Sequence, residues 1–135
     1  MPASTFALQQ AIYTALTANA AVTAALGGPR IYDEVPQPVV FPYLSFGMAT
    51  VIDDDTSTEH ADQHMFMLHV WSRAPGRKEP LAIVDAVRAA LHDQSPNLIG
   101  HRLINLRHEQ TETRRTADGE TLQSTLRFRA VTEPL

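Results

Sequence analysis

The chain has 135 residues, 44% of them hydrophobic and 19% charged, which suits one globular domain rather than a disordered segment. Cysteine is absent, so disulfides, thiolate nucleophiles and cysteine-bound metals are excluded. The formal net charge of −4 leaves no basic excess for generic phosphate binding, and no apolar run approaches the roughly 18 residues of a membrane span.

The first residues, Met1-Pro2-Ala3-Ser4-Thr5, lack the charged and apolar regions of a signal peptide, which predicts a soluble protein made in the cytoplasm. Ser4 or Thr5 is expected to cap a first helix, because a side-chain oxygen there accepts from an otherwise unpaired N–H. Leu8, Ile12 and Leu16 recur on one face of it, with Phe6, Tyr13 and Ala15 widening the stripe. Asn19 starts a second short helical turn over 20–26, and Gly27-Gly28-Pro29 stops it. Pro36, Pro38 and Pro42 then mark an extended loop that contributes few ladder donors. A strand is predicted from Tyr43 to Met48, with an extension toward Ile52, followed by the polar turn Asp53-Asp54-Asp55-Thr56-Ser57.

Residues 64–72 form the strongest strand signal. Phe66, Leu68 and Val70 fall on one face, and Met65, Met67, His69 and Trp71 on the other. An apolar character on both faces calls for a cover on each side: helices on one, and a second layer or a neighbouring subunit on the other. Ala74-Pro75-Gly76 breaks the chain, and Pro80 suits the first turn of a helix whose apolar face is Ile83, Val84, Val87, Ala90 and Leu91. Residues 103–113 and 121–131 read as two strands joined by the turn Ala117-Asp118-Gly119. Leu122, Leu126, Phe128 and Ala130 alternate with Gln123, Thr125, Arg127 and Arg129. Residues 109–120 are polar or charged apart from Ala117, so this hairpin is expected to project into water or onto a partner. The predicted fold is a single α+β domain over 1–135, with two helices on one face of a mainly antiparallel four-stranded sheet and a protruding polar β-hairpin.

Chemical motifs are sparse. His60 and His64 flank Asp62, but the stretch is extended, spacing fixes no third ligand, and no HExxH motif is present. Asp53, Asp54 and Asp55 are contiguous, whereas calcium loops space their ligands around a glycine. The triplet reads instead as a solvated loop whose field matters if many copies assemble. There is no GxSxG elbow, and Gly27-Gly28 precedes Pro29-Arg30 rather than the lysine of a phosphate loop. Arg114 and Arg115 lie among Glu109, Glu112, Asp118 and Glu120, which favours a mixed-charge protein contact over phosphate. Trp71 has apolar neighbours that favour packing over base stacking. No catalytic, cofactor or metal residue is assigned, and the reading is of a non-enzyme.

Several short signatures, in order, resemble the tail-completion or tail-terminator proteins of long-tailed phages, which have a relative in phage-like gene transfer agents. They are Leu26-Gly27-Gly28-Pro29-Arg30-Ile31-Tyr32, then Pro36 and Phe41-Pro42-Tyr43-Leu44-Ser45-Phe46-Gly47, then Phe66-Met67-Leu68-His69-Val70-Trp71-Ser72, the helix 81–91, and the hairpin ending in Leu126-Arg127-Phe128-Arg129. The resemblance implies a structural virion protein that forms a hexameric ring on the last tail-tube ring, stops growth and offers the head a joining surface. Its implied partners are further copies of itself, the tail tube protein and a head-completion or connector protein, with DNA passing through the lumen as cargo and no membrane or cofactor involved. In that setting Asp53, Asp54 and Asp55 are candidates for the lumen or rim. Met65, Met67, His69, Trp71, Arg114 and Arg115 are candidates for a subunit or tube interface. Two other readings stand beside it: a head-completion or neck connector, and a small oligomeric α+β domain that binds a ligand or metal through its histidines.

Overall fold

In the computed structural model, which describes residues 3–53 and 60–135, the chain opens with helix α1 (Ser4–Thr17). No side chain caps it. Ser4 already lies inside the helix, and its hydroxyl donates to Asp62 Oδ2 at 2.6 Å instead. The buried stripe is Ala7, Leu8, Ala11, Ile12 and Leu16, with Ala15 packed at its border. Phe6 and Tyr13, expected to widen that stripe, face outward.

Helix α2 (Ala20–Leu26) follows the predicted signals. Asn19 Oδ1 accepts from Val22 N–H at 3.0 Å, and Gly27 closes the helix in the left-handed region at φ 80°. The N–H groups of Gly27 and Gly28 reach back to Ala24 and Thr23, satisfying carbonyls the helix end would leave open. Arg30 then folds over this terminus. Its guanidinium donates to the Leu26 carbonyl at 2.8 Å and approaches those of Phe41 and Pro42 at 3.4 Å. One side chain thus ties the end of α2 to the far end of the proline loop and sets strand β1 (Ile31–Tyr32) beside β2 (Tyr43–Asp53).

The remaining elements are β3 (Asp62–Ser72), α3 (Lys78–Leu91), β4 (His101–Arg115) and β5 (Leu122–Pro134). The sheet has five strands in the order β1-β2-β3-β5-β4, with β1 parallel to β2 and the other pairs antiparallel. The expected four-stranded sheet under two helices is therefore a five-stranded sheet with three helices. The extra strand is only two residues long, too short for any periodic signal, and it is placed by the tertiary bonds of Arg30.

The hairpin is corrected as well. β5 is laddered to β3 along its length, from Asp62↔Thr132 to Ser72↔Leu122, so the hairpin is built into the sheet and does not stand off it as a free arm. Only the 116–121 turn runs past the last ladder pair. Asp118 organises that turn by accepting from the N–H groups of Glu120 and Thr121 and from the hydroxyls of Thr116 and Thr121. These bonds favour the ionised form and hold its carboxyl far below the usual range.

The core lies between the sheet and the helices. Leu68 and Val70 of β3, Leu126, Phe128 and Ala130 of β5, and Ile83, Val87 and Leu91 of α3 are fully buried there. The C-terminal end of α3 is stitched to β4: His92 Nδ1 accepts from His108 N–H at 2.9 Å, and Asp93 N–H donates to Leu106 O at 2.8 Å.

Candidate functional site

Strand β3 positions the residues singled out from the sequence. His64, Phe66, Leu68, Val70 and Ser72 point into the core, while Met65, Met67, His69 and Trp71 alternate with them and stay half-buried. The structure thus brings these last four onto one open face, on the side of the sheet opposite the core. Arg114 joins them, since it faces Gln123, whose partner on β3 is Trp71. Arg115 does not. It is the next residue on the strand and turns to the other face, with its guanidinium 3.5 Å from Gly119 O. Asp53 ends β2 opposite Asp62, and Asp54 and Asp55 lie outside the described residues.

At one end of the open face, Trp71 donates from Nε1 to Ser45 Oγ at 2.9 Å and stacks on Tyr43 with ring centres 6.0 Å apart. Tyr43 in turn touches Phe41 and Tyr32, and the Arg73 guanidinium lies 4.2 Å over the Phe41 ring. These partners were not singled out from the sequence. The parity of Tyr43 and Ser45 in their strand is the signal that shows them facing the same way as Trp71.

His69 sits beside this group. Its Nδ1 is 2.8 Å from Thr125 Oγ1 and 3.2 Å from Gln123 Nε2. Burial, reinforced by the Arg114 charge, pushes its pKa down. Further along the face, Arg129 donates to Gln63 Oε1 at 2.6 Å and Arg127 Nε lies 3.4 Å from Glu109. Arg107 and Arg129 stand directly opposite each other across two strands, a like-charge pairing that disfavours the ladder locally.

His64 is on the core side, 3% exposed, with Nε2 2.9 Å from Thr132 Oγ1. Burial lowers its pKa from 6.5; Asp62 opposes that shift and His101 adds to it. The unfolded chain therefore takes up this proton first as pH falls. The stability from neutral His64 is complete above about 6.5 and declines as pH drops from there through the lower folded value. His69 and His108 shift in the same direction. The urea midpoint should fall between pH 7.5 and 5.5, and His64→Gln, which keeps a hydrogen-bonding group toward Thr132, should flatten that fall; an unchanged slope refutes the assignment.

Among the described residues, no group of three or more His, Asp or Glu is placed to hold a metal ion. No helix among them is long and apolar enough to cross a membrane.

The sequence profile described as tail completion protein gp17 matches residues 10–133. Among solved structures, a chain from the virion of a native gene transfer agent particle superposes with a TM-score of 0.91 at 32% identity, covering 98% of this chain and 99% of that one. No curated protein matches the chain.

Proposed function

The chain belongs to the tail completion protein gp17 family, and on that premise we propose that it forms a ring on the last ring of the tail tube, ends tube growth and presents the surface to which the head joins. It is a structural protein of the virion tail. The observation that carries the finer reading is the end-to-end match with a single chain of an assembled particle, with almost nothing unmatched on either side. The copies make a hexameric ring that meets the tube protein on one side and a connector on the other, and DNA passes through the lumen.

The open face of Met65, Met67, His69, Trp71 and Arg114 is assigned to a subunit or tube contact. Its half-buried apolar side chains, next to arginines, support that reading, since larger exposed apolar areas rimmed by charge are typical of protein-binding surfaces. Asp53, Asp54 and Asp55 are assigned to the rim or lumen, where like charge keeps DNA from sticking. Replacing all three with lysine should slow DNA delivery while leaving the ring intact. Unchanged delivery, measured as gene transfer per assembled particle, removes the triplet from the channel.

The test of the whole reading is deletion of the gene in the source organism followed by electron microscopy of the particles. Overlong or irregular tails without heads are expected. Tails of correct length lacking heads would move the protein to the neck, and normal particles would overturn the reading.

A further inference from the structure

The two long outer edges of the sheet differ in a way that suits a head-to-tail contact. β1 covers β2 only at Leu44 and Ser45, so among the described residues no strand pairs with the outer edge of β2 over 46–52. That edge carries Met48-Ala49-Thr50-Val51-Ile52, five consecutive exposed residues without a charge or proline. Natural edge strands exposed to water are normally blunted by lysine, proline or short length. Ile52 is 64% exposed here, next to exposed Met48 and Val51.

On the opposite side, β4 is the last strand. Its outer edge is occupied at Leu106 and His108 by the end of α3, and among the described residues no strand pairs with it over 101–105, where Ile104 is exposed in a bulge. The two stretches lie at the same level of the sheet, because one cross-strand row runs Asp53, Asp62, Thr132, Leu103. The two stretches also meet without a like-charge clash: 46–52 carries no charged residue, and the one arginine in 101–105, Arg102, is paired with Glu133 of the neighbouring strand.

We propose that the β2 edge of one copy, residues 48–52, docks on the β4 edge of the next copy at residues 101–105 and continues the sheet from copy to copy. β2 and β4 run in opposite directions, so copies presenting the same face join antiparallel. Each copy uses two different edges, which is the heterologous contact a closed ring requires. Main-chain bonds supply the join, as in other cases of strand addition. Val51, Ile52 and Ile104 lose their exposure. This inference rests on the ring reading and specifies its contact.

The absence of native cysteine makes the test direct. Copies carrying Val51→Cys or Ile52→Cys are co-expressed in the particle-producing cell with copies carrying Ile104→Cys or Asn105→Cys, and purified particles are oxidised. These exposed positions tolerate substitution with little loss of stability. At least one pairing should give a disulfide-linked dimer in about tenfold excess over either variant alone, because thiols held within bonding distance have a high effective concentration. In parallel, formaldehyde-fixed particles report whether this chain is oligomeric at all. Oligomers on fixation with none of the four disulfides would overturn the edge contact and leave the ring standing. Monomers on fixation would remove the ring itself, and the edge contact with it.

Discussion

Replacing Phe128 with alanine should cost about 3–5 kcal/mol of folding stability, a large share of the 5–15 kcal/mol typical of a domain. Phe128 is fully buried on β5, a strand flanked on both sides by partners. Its ring stacks on Phe66 with centres 5.3 Å apart and meets His108 edge-on at 5.4 Å. The backbone around it is held by ladders to β3 and β4, so the walls of the new cavity have little freedom to close. Truncation there combines the lost transfer free energy of the ring with nearly the full cavity cost. A urea titration of the purified variant measures the loss. The exposed Ile104→Ala should stay within about 0.5 kcal/mol as a control, since surface positions away from special contacts change stability little. A Phe128 loss below about 1 kcal/mol would mean that the core relaxes around the gap, contrary to the rigidity argued here.

The same non-local ladders explain which parts of the fold could be read from the sequence. Helix α2 and its caps were legible because Asn19, Gly27 and Gly28 act on groups only a few residues away. The two faces of β3 were legible because a strand repeats every two residues, and this alone assembled Met65, Met67, His69 and Trp71 into one surface. The same rule, applied residue by residue, separates Arg114 from Arg115, which adjacency in sequence had grouped. Polarity over 109–120 showed that the hairpin is exposed, yet exposure is not protrusion. The distal part of β4 is solvated and still hydrogen-bonded into the sheet, and nothing local records its partner. The aromatic group of Tyr32, Phe41, Tyr43 and Trp71 spans some forty residues, and only the β1–β2 and β2–β3 registers bring it together. Phe6 and Tyr13 show the reverse: sequence proximity to the helical stripe predicts them in it, although they lie on the outward face.

The second large effect is expected at Gly47, where the reason is space rather than backbone conformation. A Cβ at this position would clash with His69 Nε2 and fall 2.7 Å from its Cδ2 and 3.2 Å from the Met67 carbonyl. Gly47 lies where β2 is bulged between Phe46 and Ala49, and the missing side chain is what lets the His69 imidazole lie down against the sheet. In Gly47→Ala the ring must leave, losing its contacts with Thr125 and Gln123 and its place beside Trp71. Overpacking of this kind costs about 1–3 kcal/mol. Because one clash carries the cost, the effects of Gly47→Ala and His69→Ala should not add: the double variant should be more stable than their sum by about 1 kcal/mol or more. Strict additivity in urea titrations would show that His69 is not what Gly47 accommodates. The double variant also separates folding from assembly. It removes the His69 ring from the open face while relieving the clash, so if that face meets a neighbouring subunit or the tube, the protein should fold and yet enter particles poorly. Normal incorporation would remove His69 from the assembly contact.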